Sequence, residues 1–256
     1  MSDWSAQQYL KFEDERTRPA RDLLGAVLSQ SPKKVIDLGC GPGNSTELLA
    51  ARWPQAKVIG VDSSPDMLAQ AKKRLPNLSF EHGDITQWSP PPDTDVLYSN
   101  AVFQWVPDNL AQMVRLFKGL PKGATLAIQL PDTFNEPVQV LMRETARMPQ
   151  FQHLMGEVAR LRDDLPKVND YYDAFCSAGT RAQIWLTTYN HSLENVEAIV
   201  EWMKGSGLRP FLDVLDDKDR ADFLHTYTGY VAAAHLPRAD GRVILPFPRL
   251  FIVAVR

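Results

Sequence analysis

Three glycines lie within five residues of one another in the stretch VIDLGCGPGNS, residues 35–45. Gly39, Gly41 and Gly43 directly follow an apolar run, so the pattern predicts a strand that ends in a turn with little side-chain cover. Glycine permits positive φ and lets a ligand approach the main chain closely. Because a strand, a glycine-rich turn and a helix in this order present backbone N–H groups to a ligand, the stretch predicts a site for a nucleotide-like cofactor.

The glycine spacing, G-x-G-x-G, differs from the common nucleotide loops. Asn44 occupies the third glycine position of the dinucleotide pattern, and the lysine of the Walker pattern is absent. Asp62 ends the apolar run VIGVD, where a carboxylate accepts hydrogen bonds from a ribose diol. Asp84 follows the next predicted strand, although an isolated aspartate there is more often a turn residue. Another Rossmann-like nucleotide binder is the alternative on fold analogy alone.

Apolar runs alternate with helical patterns through the first half of the chain, which is the order of a mostly parallel, doubly wound α/β sheet. The predicted strands are 34–38, 57–61, 78–81, 95–99, 124–130, 182–189 and 242–256. The predicted helices of the first half are 5–12, 18–30, 44–52, 63–74 and 110–120, with Pro19 in a first turn and Ser63 as a helix cap. Mainly helical segments, 131–175 and 190–241, are predicted to cap the carboxyl edge of the sheet, where ligands of such folds bind.

The composition is that of a globular protein, with 44% hydrophobic and 23% charged residues among 256. A net charge of −3 argues against nucleic acid as the main partner. Two distant cysteines, Cys40 and Cys176, fit a reducing compartment, and their spacing suggests no metal site. No run has the length of a membrane span, and the acidic N-terminal stretch does not resemble a signal peptide. We therefore expect a cytoplasmic, monomeric, single-domain protein without a bound metal.

The motif DLGCGPG, residues 37–43, resembles the first motif of the S-adenosylmethionine-dependent methyltransferases. The resemblance implies a Rossmann-like seven-stranded sheet with an antiparallel last strand, and S-adenosylmethionine as the cofactor. It also implies that Asp37 holds the methionyl end, while Asp84 contacts the adenine amino group and Ile85 lies against the ring. The other residues predicted to bind the cofactor are Gly39, Cys40, Gly41, Gly43, Asp62, Ser63, Met67, Asn100, Gln104 and Trp105.

The loop SNAVFQWVPD, residues 99–108, lacks the Asn/Asp-Pro-Pro-aromatic motif of methyltransferases that act on base amines. Nearly the whole chain resembles the trans-aconitate 2-methyltransferase subfamily. The segments that carry this resemblance include YLKFEDERTRPA (9–20), QLPDTFNEPVQVLMRE (129–144), GLRPFL (207–212) and FPRLFIVA (247–254). It implies methyl transfer to one carboxylate of trans-aconitate, giving a monomethyl ester, with cis-aconitate and isocitrate as weaker substrates.

A carboxylate is already an anion at pH 7, so methylating it requires no general base. We therefore predict no catalytic residue, only in-line positioning and exclusion of water. A polycarboxylate substrate requires cations, and the planar fork of arginine matches a carboxylate well. The residues predicted to bind substrate are Tyr9, Phe12, Arg16, Arg18, Trp105, Tyr172, His191 as a hydrogen-bond donor, and Arg209. Within the single domain, 1–30 is predicted to form a lid of helices and 31–130 the cofactor core.

Three other functions compete with this interpretation. A related methyltransferase would act on another acceptor, such as a carrier-bound malonyl ester or a quinone precursor, but the arginine-bearing segments disfavour it. A cofactor-binding sensor or scaffold would have lost its acceptor site, although Asp37, Asp62 and Asp84 are all present. A nucleic-acid N-methyltransferase is disfavoured by the loop after the fourth strand and by the acidic net charge.

Overall fold

A seven-stranded sheet forms the centre of the computed structural model, which describes residues 13–156, 158 and 164–256. The strands are β1 Lys34–Leu38, β2 Lys57–Asp62, β3 Ser79–His82, β4 Val96–Asn100, β5 Thr125–Pro131, β6 Gln183–Leu193 and β7 Val243–Val255. Their order in the sheet is β3-β2-β1-β4-β5-β7-β6. The first five strands pair in parallel, and β7 runs antiparallel to both β5 and β6. The predicted fold class, with an antiparallel last strand, is confirmed.

Helices cover both faces of the sheet because its strands alternate apolar side chains to either side. The helices are α1 Glu13–Ala26, α2 Asn44–Arg52, α3 Pro65–Arg74, α4 Asn109–Gly119, α5 Pro137–Ala146, α6 Pro149–Met155, α7 Val168–Ser177, α8 Val196–Lys204, α9 Arg209–Asp213 and α10 Asp217–Ala234. One apolar cluster joins the sheet to α4 and α7, and another joins its opposite face to α1 and α2. Within the described residues, no helix is long and apolar enough to cross a membrane.

The later helices have an apolar core of their own, which includes side chains from α5, α6, α8, α9 and α10. Trp202 of α8 and Phe223 and Tyr227 of α10 are fully buried in it, and Phe247 of β7 joins it to the sheet. We call these five helices the cap. Leu193 of β6 and Val243 and Leu245 of β7 belong to the same core, so the cap packs directly onto this part of the sheet.

Several predicted boundaries differ from the structure. The strand predicted to end at residue 189 continues to Leu193, because β6 pairs with β7 over its whole length; the cap therefore starts later than 190. Helix α1 is described over Glu13–Ala26, so Pro19 lies inside the helix and not in its first turn, and the helix ends four residues before the predicted end at residue 30. Ser64, not Ser63, caps α3: its hydroxyl accepts a hydrogen bond from the Met67 N–H, since Pro65 is the first helical residue. The helix predicted over 5–12 lies outside the described residues.

Candidate active site

The glycine loop connects β1 to α2, and all three of its glycines adopt positive φ: 74° at Gly39, 54° at Gly41 and 95° at Gly43. The N–H groups of Gly39 and Cys40 donate to the Val61 carbonyl of β2, at 2.7 and 3.0 Å. A Cβ at Gly39 would lie 2.3 Å from Val102 Cγ2, whereas a Cβ at Gly41 would enter open space. The loop is therefore held tightly against β2 and the loop after β4, with room for a ligand beside Gly41.

Asp62 stands at the carboxyl end of β2, beside this loop. One carboxylate oxygen accepts from the Gly41 N–H at 2.8 Å, and the other accepts from the Ser64 N–H at 2.9 Å. Two backbone donors thus fix the orientation of the carboxylate. Each oxygen of an ionised carboxylate has two lone-pair directions, so a carboxylate oriented in this way is suited to a pair of neighbouring ligand hydroxyls.

Asp37 lies near the end of β1 and is completely buried. Its Oδ2 accepts from Ser45 Oγ at 2.7 Å and from Thr46 Oγ1 at 2.6 Å. Its Oδ1 is buried and has no hydrogen-bond partner among the described residues. Burial raises the pKa of Asp37 to about 6, even though the two hydroxyl donors act in the opposite direction. A ligand that brings a positive charge or a donor close to Oδ1 would relieve this cost.

Replacing Asp37 with asparagine should remove a pH dependence from the stability of the protein. A group whose pKa is higher in the folded than in the unfolded chain stabilises the fold fully below its ordinary value of 3.8, and that contribution is lost as the pH rises through about 6. The free energy of unfolding of the wild type should therefore fall by about 2 kcal/mol relative to Asp37→Asn between about pH 4 and 6.5. Urea unfolding of both proteins at several pH values measures the difference, and a constant difference would contradict the prediction.

A cavity of about 290 Å³ opens at the carboxyl edge of the sheet and continues under the cap. Ten of the thirteen residues predicted to bind the cofactor line one half of it: Gly39, Cys40, Gly41, Asp62, Ser63, Met67, Ile85, Asn100, Gln104 and Trp105. Burial raises the pKa of the Cys40 thiol, so this cysteine is poorly suited to act as a thiolate nucleophile. We call this half, which extends from the glycine loop to Trp105, the cofactor half.

Three predicted cofactor residues do not line the cavity directly. Asp37 lies behind Ser45, and Gly43 is the N-cap of α2. Asp84 is exposed, and its Oδ1 accepts from the N–H and the hydroxyl of Thr86, both at 2.8 Å, which lowers its pKa. It therefore makes a local turn, while its neighbours Gly83 and Ile85 reach the cavity. A contact between Asp84 and adenine stays a prediction.

Hydrogen-bond acceptors prevail among the buried polar atoms of the cofactor half. Gln104 donates its side-chain N–H to the Ala101 carbonyl at 2.7 Å, but its Oε1 is buried without a partner among the described residues. Asn100 Oδ1 is in the same situation. Together with Asp37 Oδ1, these atoms favour a ligand that supplies donors and positive charge, because an unsatisfied buried acceptor is costly.

The other half of the cavity lies between β5, β7, α1 and the cap. It is lined by Thr17, Ala20, Pro131, Thr133, Gln139, Trp202, Gly205, Ser206, Gly207, Phe247 and Arg249. We call it the acceptor half. Sequence reasoning missed Arg249, which is only 4% exposed. The available signal was a single arginine inside the otherwise apolar strand FPRLFIVA, since a charged residue rarely occupies such a position without a function.

Two of the residues predicted to bind substrate have described positions near the cavity. Trp105 lines it, and His191 lies one layer behind its wall, with its ring centroid 4.6 Å from that of Trp202. Arg18 is exposed on α1, with its guanidinium carbon 5.3 Å from the centre of the Tyr189 ring.

Two further predicted substrate residues, Tyr172 and Arg209, do not line the cavity. Tyr172 is 42% exposed on α7, and Arg209 Nε is 3.6 Å from Asp213 within α9. Tyr9 and Phe12 lie outside the described residues. The backbone of Arg16 belongs to α1, but its side chain is also outside the described part of the chain. Substrate binding by these residues stays a prediction.

Comparison with known proteins is consistent with this geometry. A family model described as a methyltransferase domain matches residues 35–122. This range includes all the residues assigned to the cofactor half. The chain is 57% identical over 256 residues to trans-aconitate 2-methyltransferase of Rhodopseudomonas palustris (strain BisB5), and 55% identical to that of Afipia carboxidovorans; both alignments cover all of both chains. The crystal structure of the YcgJ protein from Bacillus subtilis matches 93% of this chain and 98% of its own, with a TM-score of 0.62 and 13% identity, which supports the fold alone.

Proposed function

This chain belongs to the trans-aconitate 2-methyltransferase family, and from that membership we propose that it transfers the methyl group of S-adenosylmethionine to one carboxylate of trans-aconitate, giving a monomethyl ester. The observation that carries the proposal is a single cavity with two chemically different halves. The cofactor half offers acceptors at the ends of β1, β2 and β4, and the acceptor half contains a buried arginine beneath the cap.

The residues of the cofactor half fit S-adenosylmethionine, the cofactor that the resemblance predicted and that family membership confirms. Asp62 would accept hydrogen bonds from the ribose hydroxyls, because two backbone donors already hold its carboxylate in place. Asn100 Oδ1 would face the ammonium group of the methionyl end, and Asp37 would support that group from its position behind Ser45. When bound, the cofactor supplies a methyl group activated by a sulfonium charge.

We infer that the reaction is a direct displacement. An oxygen of the acceptor carboxylate forms a bond to the methyl carbon as the bond from that carbon to sulfur breaks, leaving S-adenosylhomocysteine. No proton is transferred, so no general base is required. The described ionisable side chains of the cavity wall agree with this scheme: Cys40, Asp62 and Arg249 are respectively a protonated thiol, a carboxylate at the far end and a permanent cation.

The contribution of the protein is then positioning and exclusion of water. Trp202 and Phe247 give the acceptor half apolar walls, and the cap encloses it from above. Holding two reactants in line supplies roughly 7–11 kcal/mol of rate enhancement in favourable cases. The negative carboxylate and the positive sulfonium lose their charges together in the transition state, so a site with little water favours the reaction.

Methyl transfer from labelled S-adenosylmethionine to a panel of acids tests the proposal. The panel contains trans-aconitate, cis-aconitate, isocitrate, citrate and a carrier-bound malonyl group. We expect base-labile label to appear on trans-aconitate faster than on any other acid. Faster labelling of the carrier-bound acid would favour the alternative, a methyltransferase for another carboxylic acid, and binding of cofactor without any labelling would contradict both.

Replacing His191 with glutamine should leave turnover within about tenfold of the wild type, because loss of a true general base costs roughly 10²–10⁴-fold. His191 packs against Trp202 and Phe247, with ring centroids 4.6 and 6.0 Å away, so we expect reduced stability with retained chemistry. The measurement is kcat against pH for both proteins, with thermal unfolding as the control for folding. A folded variant that loses more than 100-fold in kcat would overturn the mechanism without a base.

A further inference from the structure

Arg249 is a cation in a position that normally holds an apolar residue. It lies in β7 between strand neighbours that are largely buried, and it is itself 4% exposed. Among the described residues that line the cavity, Arg249 is the only lysine or arginine. It is therefore the described residue of the cavity wall best suited to bind an anionic group of a ligand.

The place of β7 in the sheet separates Arg249 from the cofactor half. Cofactor-half residues follow β1, β2, β3 and β4, whereas β7 lies beyond β5 on the other side of β4. From β1 to β7 there are three strand spacings, or roughly 14 Å at about 4.8 Å each. Arg249 is paired with Pro131 at the end of β5. It thus lies at the end of the cavity where the acceptor, not the nucleoside, would extend.

An aromatic side chain orients the guanidinium, and a polar side chain lines the same half of the cavity. Its central carbon lies 4.6 Å from the centre of the Phe247 ring, a cation–π geometry that restrains its orientation. Gln139 of α5 is buried and reaches the same half of the cavity. A Cβ at Gly207 would lie 2.9 Å from Gln139 Nε2, so the backbone of the turn after α8 packs closely against this amide.

From these observations we propose that Arg249 determines acceptor specificity by binding, with its two-pronged guanidinium, a carboxylate of the substrate that is not methylated. A carboxylate held in this way has both oxygens engaged in charge-assisted hydrogen bonds, which makes it a poor nucleophile. It serves as an anchor, while a second carboxylate of the same molecule meets the methyl group. This inference rests on the proposed function, because it assumes an acceptor with more than one carboxylate.

The test combines removal of the arginine with removal of single substrate carboxylates. Itaconate, mesaconate and cis-glutaconate each correspond to trans-aconitate without one carboxyl group. Binding of all four acids to the protein saturated with S-adenosylhomocysteine is measured by calorimetry for the wild type, Arg249→Gln and Arg249→Lys. We expect Arg249→Gln to weaken trans-aconitate binding roughly 10- to 100-fold but to leave one dicarboxylate unaffected, namely the one that lacks the anchored group. Arg249→Lys should recover only part of the loss, because it keeps the charge without the fork.

Equal weakening of all four acids, or no weakening, would overturn the proposal. Arg209→Gln is the comparison variant, since Arg209 is the arginine of α9 that does not line the cavity. If the selective loss belongs to Arg209 and not to Arg249, the proposal also fails. S-adenosylhomocysteine affinity and thermal unfolding report whether each variant is folded; should Arg249→Gln be unfolded, Arg249→Lys alone carries the same comparison. If the wild type methylates a different polycarboxylate, trans-aconitate is rejected as the substrate. The carboxylate-binding role of Arg249 is then tested with that acid and with its analogue that lacks one carboxyl group.

Discussion

Asp62→Asn should bind S-adenosylhomocysteine on the order of 100-fold more weakly than the wild type. Each charge-assisted hydrogen bond contributes about 1.5–3 kcal/mol, and the ribose offers two hydroxyls to this carboxylate. The asparagine also places an N–H₂ group against either the Gly41 or the Ser64 N–H, both of which donate to the aspartate at 2.8 and 2.9 Å. The variant therefore loses ligand contacts and disturbs the loop that positions them.

Asp66→Asn is the matched control for this experiment. Asp66 lies four residues further along, in the first turn of α3, and its side chain accepts from Gln70 and does not line the cavity. Both substitutions remove one negative charge from the same region, but only the one at Asp62 removes the proposed ribose contact. Calorimetry with the 2′-deoxyribose analogue of S-adenosylhomocysteine completes the comparison: the wild type should lose affinity for it, and Asp62→Asn should not. Equal effects of the two substitutions would show that only overall charge matters.

Gly39→Ala should lower the free energy of unfolding by about 2–5 kcal/mol. A side chain at positive φ costs roughly 1–2 kcal/mol, and forcing extra volume into a filled space costs about 1–3 kcal/mol more. Both penalties apply here, because Gly39 has φ 74° and its Cβ would lie 2.3 Å from Val102 Cγ2. Cofactor affinity should fall as well, since the displaced loop includes Gly41 beside the cavity.

Two further proteins separate these penalties. Gly123 also has positive φ, at 87°, but a Cβ there would meet nothing within 4 Å, so Gly123→Ala should show only the backbone cost. The double variant Gly39→Ala/Val102→Ala should regain the stability lost to overpacking and keep only the loss caused by the strained backbone. Chemical denaturation measures all of these, with Val102→Ala alone as the baseline. Equal destabilisation by Gly39→Ala and Gly123→Ala would contradict a role for the contact with Val102.

The strands of the first half were predictable because parallel strands are continuous apolar runs bounded by turns. KVIDL and KVIGVD show this pattern, and β1 and β2 occupy those residues within one position. The later strand β6 was harder to delimit. Its last residues include the polar Asn190 and Ser192, residue types that are typical of turns and helix caps. Their alternation with buried His191 and Leu193 is recognised as a strand once the pairing with β7 is known.

The cofactor half was also largely predictable, because its residues directly follow successive strands and reach the same edge of the sheet. The acceptor half was not. Its lining residues come from α1, the segment after β5, α5, the turn after α8 and β7, and no local pattern indicates that these distant segments meet. Arg209 and Arg249 both lie in segments resembling the subfamily, yet only the folded chain distinguishes them: α9 places Arg209 beside Asp213, whereas β7 places Arg249 in the cavity wall.

The position of β7 has a consequence for the order in which the molecule forms. This strand is the last in the chain but lies inside the sheet, between β5 and β6. During synthesis one edge of β5 stays unpaired until residues 243–255 have emerged, because its partner on that edge is β7. The glycine loop and Asp62 belong to the part that assembles early, and Arg249 arrives with the final strand. A nascent chain would thus gain the parts of its nucleoside site before it has any means of selecting an acceptor.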